Sequence, residues 1–491
     1  MGLEILGIRE EERTKPIERF PRGVKPDTSK LAAGRYGTQE MCEVWGSEKT
    51  FEFSLRVQGQ SSLTLSRLYP DVVPNNNAQE IAEKASLKYI AVDRIRELEE
   101  QTGHDVIAIN KALEEIVSPA AGAHINKAKT SADTTCNART LQLKKSLEIS
   151  AESTENLRDI AIEKAVQWMD YPFMVCTHGY DALPSVAGRA FIHYAEMLQS
   201  GLNILRFFYD NSIIGKWADA TGDHHSATAL EIDGIKLQSE FCKDLGIGFM
   251  DAPAQTPGLE FELDCNYPTT RIGETVNNLS RFIAWGRSDD VNVFINGSPR
   301  RQKGSSAMPH KDAKNGNPDT EEQAVSHRNY AVGNFVTALL NCEMSYARTL
   351  YASANSRINS EDGFKFFDHV TRRLAHTLYW LVLNEERSKY RVLRSYGVVT
   401  AQQVMTYLTD YRKTEKPMIR SEAHDLLGKL ATEAWNKKIN FTDVVLANND
   451  IKSRLGETKI REITDPLLYI GESKKIIEIV AKKYYKKKTL K

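Results

Sequence analysis

The stretch Glu155–Trp168, "ENLRDIAIEKAVQW", is where the fold class can first be read. Leu157, Ile160, Ala161, Ala165 and Trp168 recur at the spacing that brings side chains onto one face of a helix, and the pattern runs on for longer than a strand. The same spacing returns on both sides of it. It orders Ala190, Tyr194, Met197, Leu198 and Leu205, then Val276, Leu279 and Ile283. It orders Val332, Phe335, Leu339 and Leu340, and finally Phe367, Val370, Leu374, Leu378 and Leu381. Alternating runs are few, and no Asn-Gly joins two of them as a hairpin would require. The chain therefore reads as all-α, with long helices gathered in a central bundle. Several of these helices are apolar on more than one side, the pattern of helices buried against other subunits as well as their own bundle.

Composition narrows the function. The 491 residues carry 65 Lys+Arg against 65 Asp+Glu, so the formal net charge is zero. A nucleic-acid binder needs a basic excess to displace counterions, and this chain has none. A compact anionic ligand held by a few arginines is still permitted. Six cysteines are scattered with no C-x-x-C pair, which fits a reducing compartment better than a disulfide framework or a zinc site. The first residues show no signal peptide, and no apolar run reaches the roughly 18 residues of a membrane span. A cytoplasmic protein is expected. The lysine-rich C-terminal segment reads as an amphipathic helix with solvated lysines.

Between the helical stripes lie polar, glycine-bearing loops, and in a helical scaffold that is where chemistry tends to sit. The richest is "KGSSAMPHKDAKNGNPDTEEQ", Lys303–Gln323. Gly304, Ser305 and Ser306 supply backbone freedom, two hydroxyls and successive amide donors, which suit a carboxylate. Lys311 adds a point charge and Asn317 an amide donor, while Glu322 falls on the first turn of the next helix. Without more, this is equally a polar surface loop with a helix cap.

Within it, "GSSAMPHK" closely resembles the signature of the fumarase/aspartase superfamily of lyases, and the histidine before the lysine resembles the adenylosuccinate lyase branch. Other stretches resemble that branch in order along the chain: "RYGTQEMCEVW" from Arg35, "TGHDVIAI" from Thr102, "TSADTT" from Thr130, "THGYDALPSVAG" from Thr177 and "RTLYASANSRI" from Arg348. The resemblance implies three α-helical domains, expected here over 1–140 (with an extension over 1–34), 141–385 and 386–491. It implies a homotetramer whose active sites are shared between subunits, and it implies no cofactor.

The implied reaction is a β-elimination that releases fumarate from a succinylated nitrogen compound. A proton must leave a carbon next to a carboxylate, which demands preorganised positive charge and hydrogen-bond donors. By resemblance Ser305 or Ser306 is the base, on a loop that closes over substrate, and Lys311 and Asn317 hold the succinyl carboxylates. His178 is the general acid, flanked by Thr177, and Glu322 orients it; histidine suits proton transfer near neutral pH. His104 and Asp105 bind substrate near the leaving group, although Asp105 is also a plausible helix cap. Thr130, Ser131 and Asp133 sit at a carboxylate, and T-S-x-D is equally a common helix start. Arg35, Tyr36, Arg348, Ser353 and Arg357 grip a nucleotide monophosphate, for which guanidinium forks are suited. Arg348 and Arg357 are nine apart and need a bent segment to converge. A looser likeness around "GKWADATGDHHSATA" implies a substrate contact for Lys216. His224-His225 are not a metal site, since adjacent side chains point apart and no third ligand has fitting spacing.

The chain also departs from the pattern. Cys176 stands where an arginine is usual, and Arg271 where a glutamine is common. After Lys311 the chain reads "DAKNGNP", so about four residues are inserted into the signature loop and either Asn315 or Asn317 is the expected asparagine. These departures bear on substrate choice. The remaining alternatives are another superfamily lyase or cycloisomerase, and a catalytically silent structural homologue.

Overall fold

The helix seeded by Glu155–Trp168 begins at Ser131 and ends at Gln167 (α1). Leu157, Ile160, Ala161 and Ala165 are fully buried, and Trp168 is nearly so. The bundle is continued by α2 (Gly188–Asn211), α3 (Glu260–Arg287), α4 (Asp319–Leu340) and α5 (Ser353–Tyr379), and the helix Ser47–Leu68 also packs on α1. α1 lies against α2 and α5, and α3 against α2, α4 and α5. This is the all-α bundle that the apolar spacing predicts. It is seen in a computed structural model that describes residues 2–18, 35–300, 303–314, 316–342, 346 and 348–490. α1 and α2 meet closely at Gly188, where a Cβ would lie 1.9 Å from the carbonyl oxygen of Ala165. Only glycine fits there.

Several buried charged groups of α1 are matched by partners, as a low-dielectric interior requires. Arg158 donates to Asp159 Oδ1 at 2.7 Å and to Gln199 Oε1 at 2.6 Å. Lys164 Nζ donates to the carbonyl oxygen of Leu381 at 2.6 Å. Glu163 Oε1 accepts from the Thr14 amide at 2.8 Å and the Tyr485 hydroxyl at 2.7 Å, so both ends of the chain are tied onto one helix. The part of the N-terminal extension over 19–34 lies outside the described residues.

Two smaller apolar clusters flank the bundle. One joins Phe51, Leu55, Ile81, Ile95, Ile109 and Leu113. The other joins Val404, Leu408, Leu427, Phe441, Ile451 and Ile460. The central cluster reaches beyond 141–385: Met41, Val44 and Val57 enter it at one end, and Ile477, Val480 and Ala481 at the other. The expected break at 140/141 falls inside α1, because the helix is capped at Thr130 and meets no glycine or proline before Gln167.

Sequence periodicity found few strands, and the structure adds three short pairs. Pro172–Thr177 (β1) and Tyr180–Val186 (β2) form an antiparallel hairpin. Residues 214–215 pair parallel with 248–249, and 294–296 antiparallel with 381–383. On α4, Val332, Val336, Leu339 and Leu340 are exposed, as is Phe207 on α2. Among the described residues no helix is long and apolar enough to cross a membrane.

Candidate active site

The start of α1 carries three of the candidate site residues. Thr130 is the N-cap, and its amide donates to Asp133 Oδ2 at 2.8 Å. Asp133 Oδ1 lies 2.8 Å from Lys216 Nζ and accepts the Ala218 amide at 3.1 Å. Both side chains of this ion pair are fully buried. Burial pushes the Asp133 carboxyl up, against the pull of Lys216 and of the amide donors. Lys216 Nζ also donates to the carbonyl oxygens of Asp219 at 2.7 Å and Gln255 at 2.8 Å. An ammonium has three protons, and here all three are taken. In this chain the Lys216 side chain points inward and braces Asp133.

Ser131 follows Thr130 and places its Oγ 3.2 Å from His104 Nε2. Two loops distant in sequence are thus joined by their candidate substrate groups. Asp105 Oδ1 lies 3.1 Å from His104 Nδ1. Asp105 is the first residue of the helix Asp105–Glu114, and His104 holds the cap position considered for Asp105.

Asp105 also lines a cavity of about 390 Å³, together with Arg348, Ser353 and Arg357. Arg348 precedes α5, Ser353 opens it, and Arg357 sits in its next turn. The chain bends between the two arginines, as their spacing demands. Trp45, Arg139 and Glu262 complete the wall. The Arg139 guanidinium lies over the Trp45 ring at 4.4 Å and donates to Glu262 Oε1 and the Ser356 carbonyl, both at 2.6 Å. Sequence reasoning missed Arg139. Its signal was positional: it lies eight residues beyond Ser131, about two turns along the same helix face.

Tyr36 is half-buried, edge-on to His327 at 5.5 Å and to His369 at 5.7 Å. Burial pushes His327 down to about 4, so this neighbour of Tyr36 is neutral at physiological pH. Arg35 beside it is exposed. Arg271 lies half-buried on α3 and donates to Thr275 Oγ1 at 3.2 Å.

His178 stands at the tip of the β1–β2 hairpin, exposed along with Thr177. His178 has φ 52° and Gly179 φ 84°, and Thr177 pairs with Tyr180. Two central residues with positive φ make the two-residue turn that matches strand twist. The turn was sought in the sequence as Asn-Gly, and His-Gly does the same work because histidine tolerates the left-handed region better than most residues.

The signature loop folds on itself. Ser305 Oγ accepts the Ala307 amide at 3.2 Å and the Met308 amide at 3.1 Å, while Ser306 is exposed. Lys311 is half-buried in the 3-10 turn Pro309–Lys314. Asp312, from the insertion, accepts the Gly304 amide at 2.7 Å and pairs with Lys303 at 3.0 Å. These partners, the Gly304 amide first, hold its carboxyl below the usual range. Asn317 is half-buried and Glu322 exposed, and Asn315 lies outside the described residues. The end of the loop is pinned by buried Arg287, which pairs with Glu321 at 2.6 Å and donates to the Gly316 carbonyl at 3.1 Å. Among the described residues no hydrogen bond or ion pair joins His178, Ser305 and Glu322. The cavity beside Asp105 includes none of the three.

A family model described as Lyase matches residues 34–329, and one described as Adenylosuccinate lyase C-terminus matches 397–480. The chain belongs to the lyases of the fumarase/aspartase superfamily, in their adenylosuccinate lyase branch. The adenylosuccinate lyase of Methanocaldococcus jannaschii is 27% identical over 458 residues, 92% of this chain and 96% of that protein. That of Pyrococcus abyssi is 26% identical over 446 residues, 91% and 96% of the two chains. The fold is shared with a fumarate lyase from Mesorhizobium sp. BNC1, with TM-score 0.77 at 18% identity over 91% of this chain and 98% of that one. It is shared as well with the β-carboxy-cis,cis-muconate cycloisomerase of Acinetobacter calcoaceticus sp. ADP1, with TM-score 0.78 at 17% identity over 92% and 100%. Within the chain the cavity beside Asp105 is lined by neither the His178 hairpin nor the Ser305 loop.

Proposed function

We propose that this lyase eliminates fumarate from adenylosuccinate, leaving AMP, and from the succinylated imidazole carboxamide ribotide, leaving the free carboxamide ribotide, as a cytoplasmic step of purine nucleotide synthesis. The observation that carries the reading is the cavity on which Asp105, Ser353, Arg348 and Arg357 converge. Its volume suits a nucleotide-sized ligand, and paired guanidinium groups suit a phosphate. Lyases of this superfamily whose substrates carry no phosphate have no need of such a phosphate site.

Ser305, its own proton first released to solvent, takes the proton from the carbon beside the carboxylate. The two amides that donate to its Oγ stabilise the alkoxide that it must become. As the carbon–nitrogen bond breaks, His178 gives its proton to the departing nitrogen, with Glu322 orienting the ring. Lys311 and Asn317 meet the succinyl carboxylates, and His104, Thr130 and Ser131 the leaving side. Asp133 acts by fixing the turn that carries Thr130 and Ser131.

His178 and Ser305 stand apart from the cavity within one protomer, so the site is completed by neighbours. A homotetramer supplies them, and the exposed apolar face of α4 is the surface that it would bury. Light scattering at working concentration is expected to give four chains, and Leu340→Lys to lower both the mass and the activity together.

Ultraviolet monitoring of fumarate release from adenylosuccinate tests the function. Turnover is expected. An intact tetramer with no turnover of either purine substrate sinks the reading in favour of another superfamily reaction. Arg357→Ala is expected to raise KM for adenylosuccinate by about 10- to 100-fold with kcat nearly unchanged, as loss of a charged hydrogen bond to a group remote from the reacting bond requires.

A further inference from the structure

The hairpin that carries His178 is a cantilever. Its tip is exposed, and its imidazole has to meet a substrate held largely by another protomer. The left-handed backbone of His178 itself costs about 1 kcal/mol, which persists only where the surroundings over-determine the conformation. The surroundings that do so come from outside the hairpin. Asp181, three residues after His178, accepts Arg394 Nε at 2.9 Å and Arg394 Nη2 at 3.0 Å, a two-pronged pairing. Arg391 Nη2 approaches the same carboxylate at 3.6 Å and the Cys176 sulfur at 3.9 Å. Cys176 Sγ in turn donates to Asp181 Oδ1 at 3.4 Å.

These four side chains meet directly beneath the turn, where Cys176 pairs with Asp181 across the strands and a bulge breaks the register. Arg391 is buried, with its guanidinium 5.6 Å from the Trp285 ring on α3. Arg391 lies in the last turn of the helix Glu385–Leu393 and Arg394 is its C-cap, and Ser388 of that helix donates to the Pro172 carbonyl at 2.6 Å. The helix therefore grips β1–β2 at its base and again just short of its tip. Cys176 occupies the position where the resembling lyases usually carry arginine, and here the positive charge reaches that spot from a different element.

We propose that Arg394 and Arg391 are positioning residues for His178: by clamping Asp181 they fix the hairpin that presents the imidazole to substrate. The inference rests on the role of His178 proposed above. A displacement of about 1 Å in a reacting group can cost on the order of 100-fold in rate. A guanidinium fork restrains the carboxylate in two directions, where an ammonium restrains it in one.

The test uses the full-length enzyme and adenylosuccinate. Arg394→Ala is expected to lower kcat by about 10- to 100-fold, with KM within about threefold, since the hairpin carries the acid and not the binding groups. Arg394→Lys restores part of the loss. Asp181→Asn, which keeps the side chain's shape, reproduces the loss and carries the test should Arg394→Ala fail to fold. In the double variant the second change adds little, because both remove one clamp. The clamp is overturned if Arg394→Ala keeps kcat within about twofold of the parent, or if the two losses multiply in full. His178→Ala is measured alongside. If it is inactive while Arg394→Ala is normal, only the clamp fails. If it stays active, the role of the imidazole fails and the clamp with it.

Discussion

His178→Ala is expected to lower kcat for fumarate release by about 10²- to 10⁴-fold, the usual contribution of a positioned general acid. KM should move little, because the departing nitrogen gains its proton only as the bond breaks. The geometry sharpens the expectation. His178 is exposed at a two-residue turn with φ 52°, so it is no packing residue, and it holds a conformation that glycine would adopt without strain. His178→Gly should therefore match or raise the stability of the parent, by up to about 1 kcal/mol, while sharing the loss of activity. Thermal denaturation of the two variants beside their initial rates separates the roles. A histidine kept only for the turn would give a glycine variant that is both stable and active, and that outcome would end its assignment as the acid.

The fold was legible in the sequence where one physical rule dominated. Leu157, Ile160, Ala161 and Ala165 are spaced for a helix face and are fully buried, because nothing local competes with that spacing. The domain limits were less legible. Burial does not respect a boundary drawn in sequence: Val57 and Val480 enter the same core as Leu157 from the two ends of the chain. The turn of the hairpin was hidden since it is His-Gly rather than Asn-Gly. At the site, motif order brought out His104 and Ser131, and the structure puts them 3.2 Å apart. The inward contacts of Lys216 were not legible, because a lysine after glycine in a polar loop gives no hint that three acceptors wait inside. Arg139 and Asp312 were missed for opposite reasons. The first sits in a regular helix without a motif, and the second in an insertion that no pattern describes. Arg394 lies 216 residues from His178, a distance across which periodicity carries no information.

Lys216→Met should destabilise the chain by about 3–5 kcal/mol, the cost of leaving one partner of a buried ion pair uncompensated. The variant strands Asp133 with two amide donors, from Thr130 and Ala218, and without the Lys216 ammonium that lies 2.8 Å from it. It also frees the carbonyl oxygens of Asp219 and Gln255, each of which loses its ammonium donor. Two consequences follow from where Asp133 sits. Denaturant midpoints should fall well below the parent's, and activity should fall in the molecules that remain folded, since the Asp133 carboxylate ties down the backbone of Thr130, next to Ser131. Adding Asp133→Leu should recover part of the lost stability by removing the stranded charge, yet leave activity low, because the cap on α1 is then gone as well. A lysine reaching substrate predicts the reverse pattern, with KM raised, the denaturation midpoint unchanged and no recovery in the double variant. The two readings of Lys216 therefore part on a single pair of measurements. The buried one stands on an ammonium nitrogen that lies within 2.8 Å of three protein oxygens.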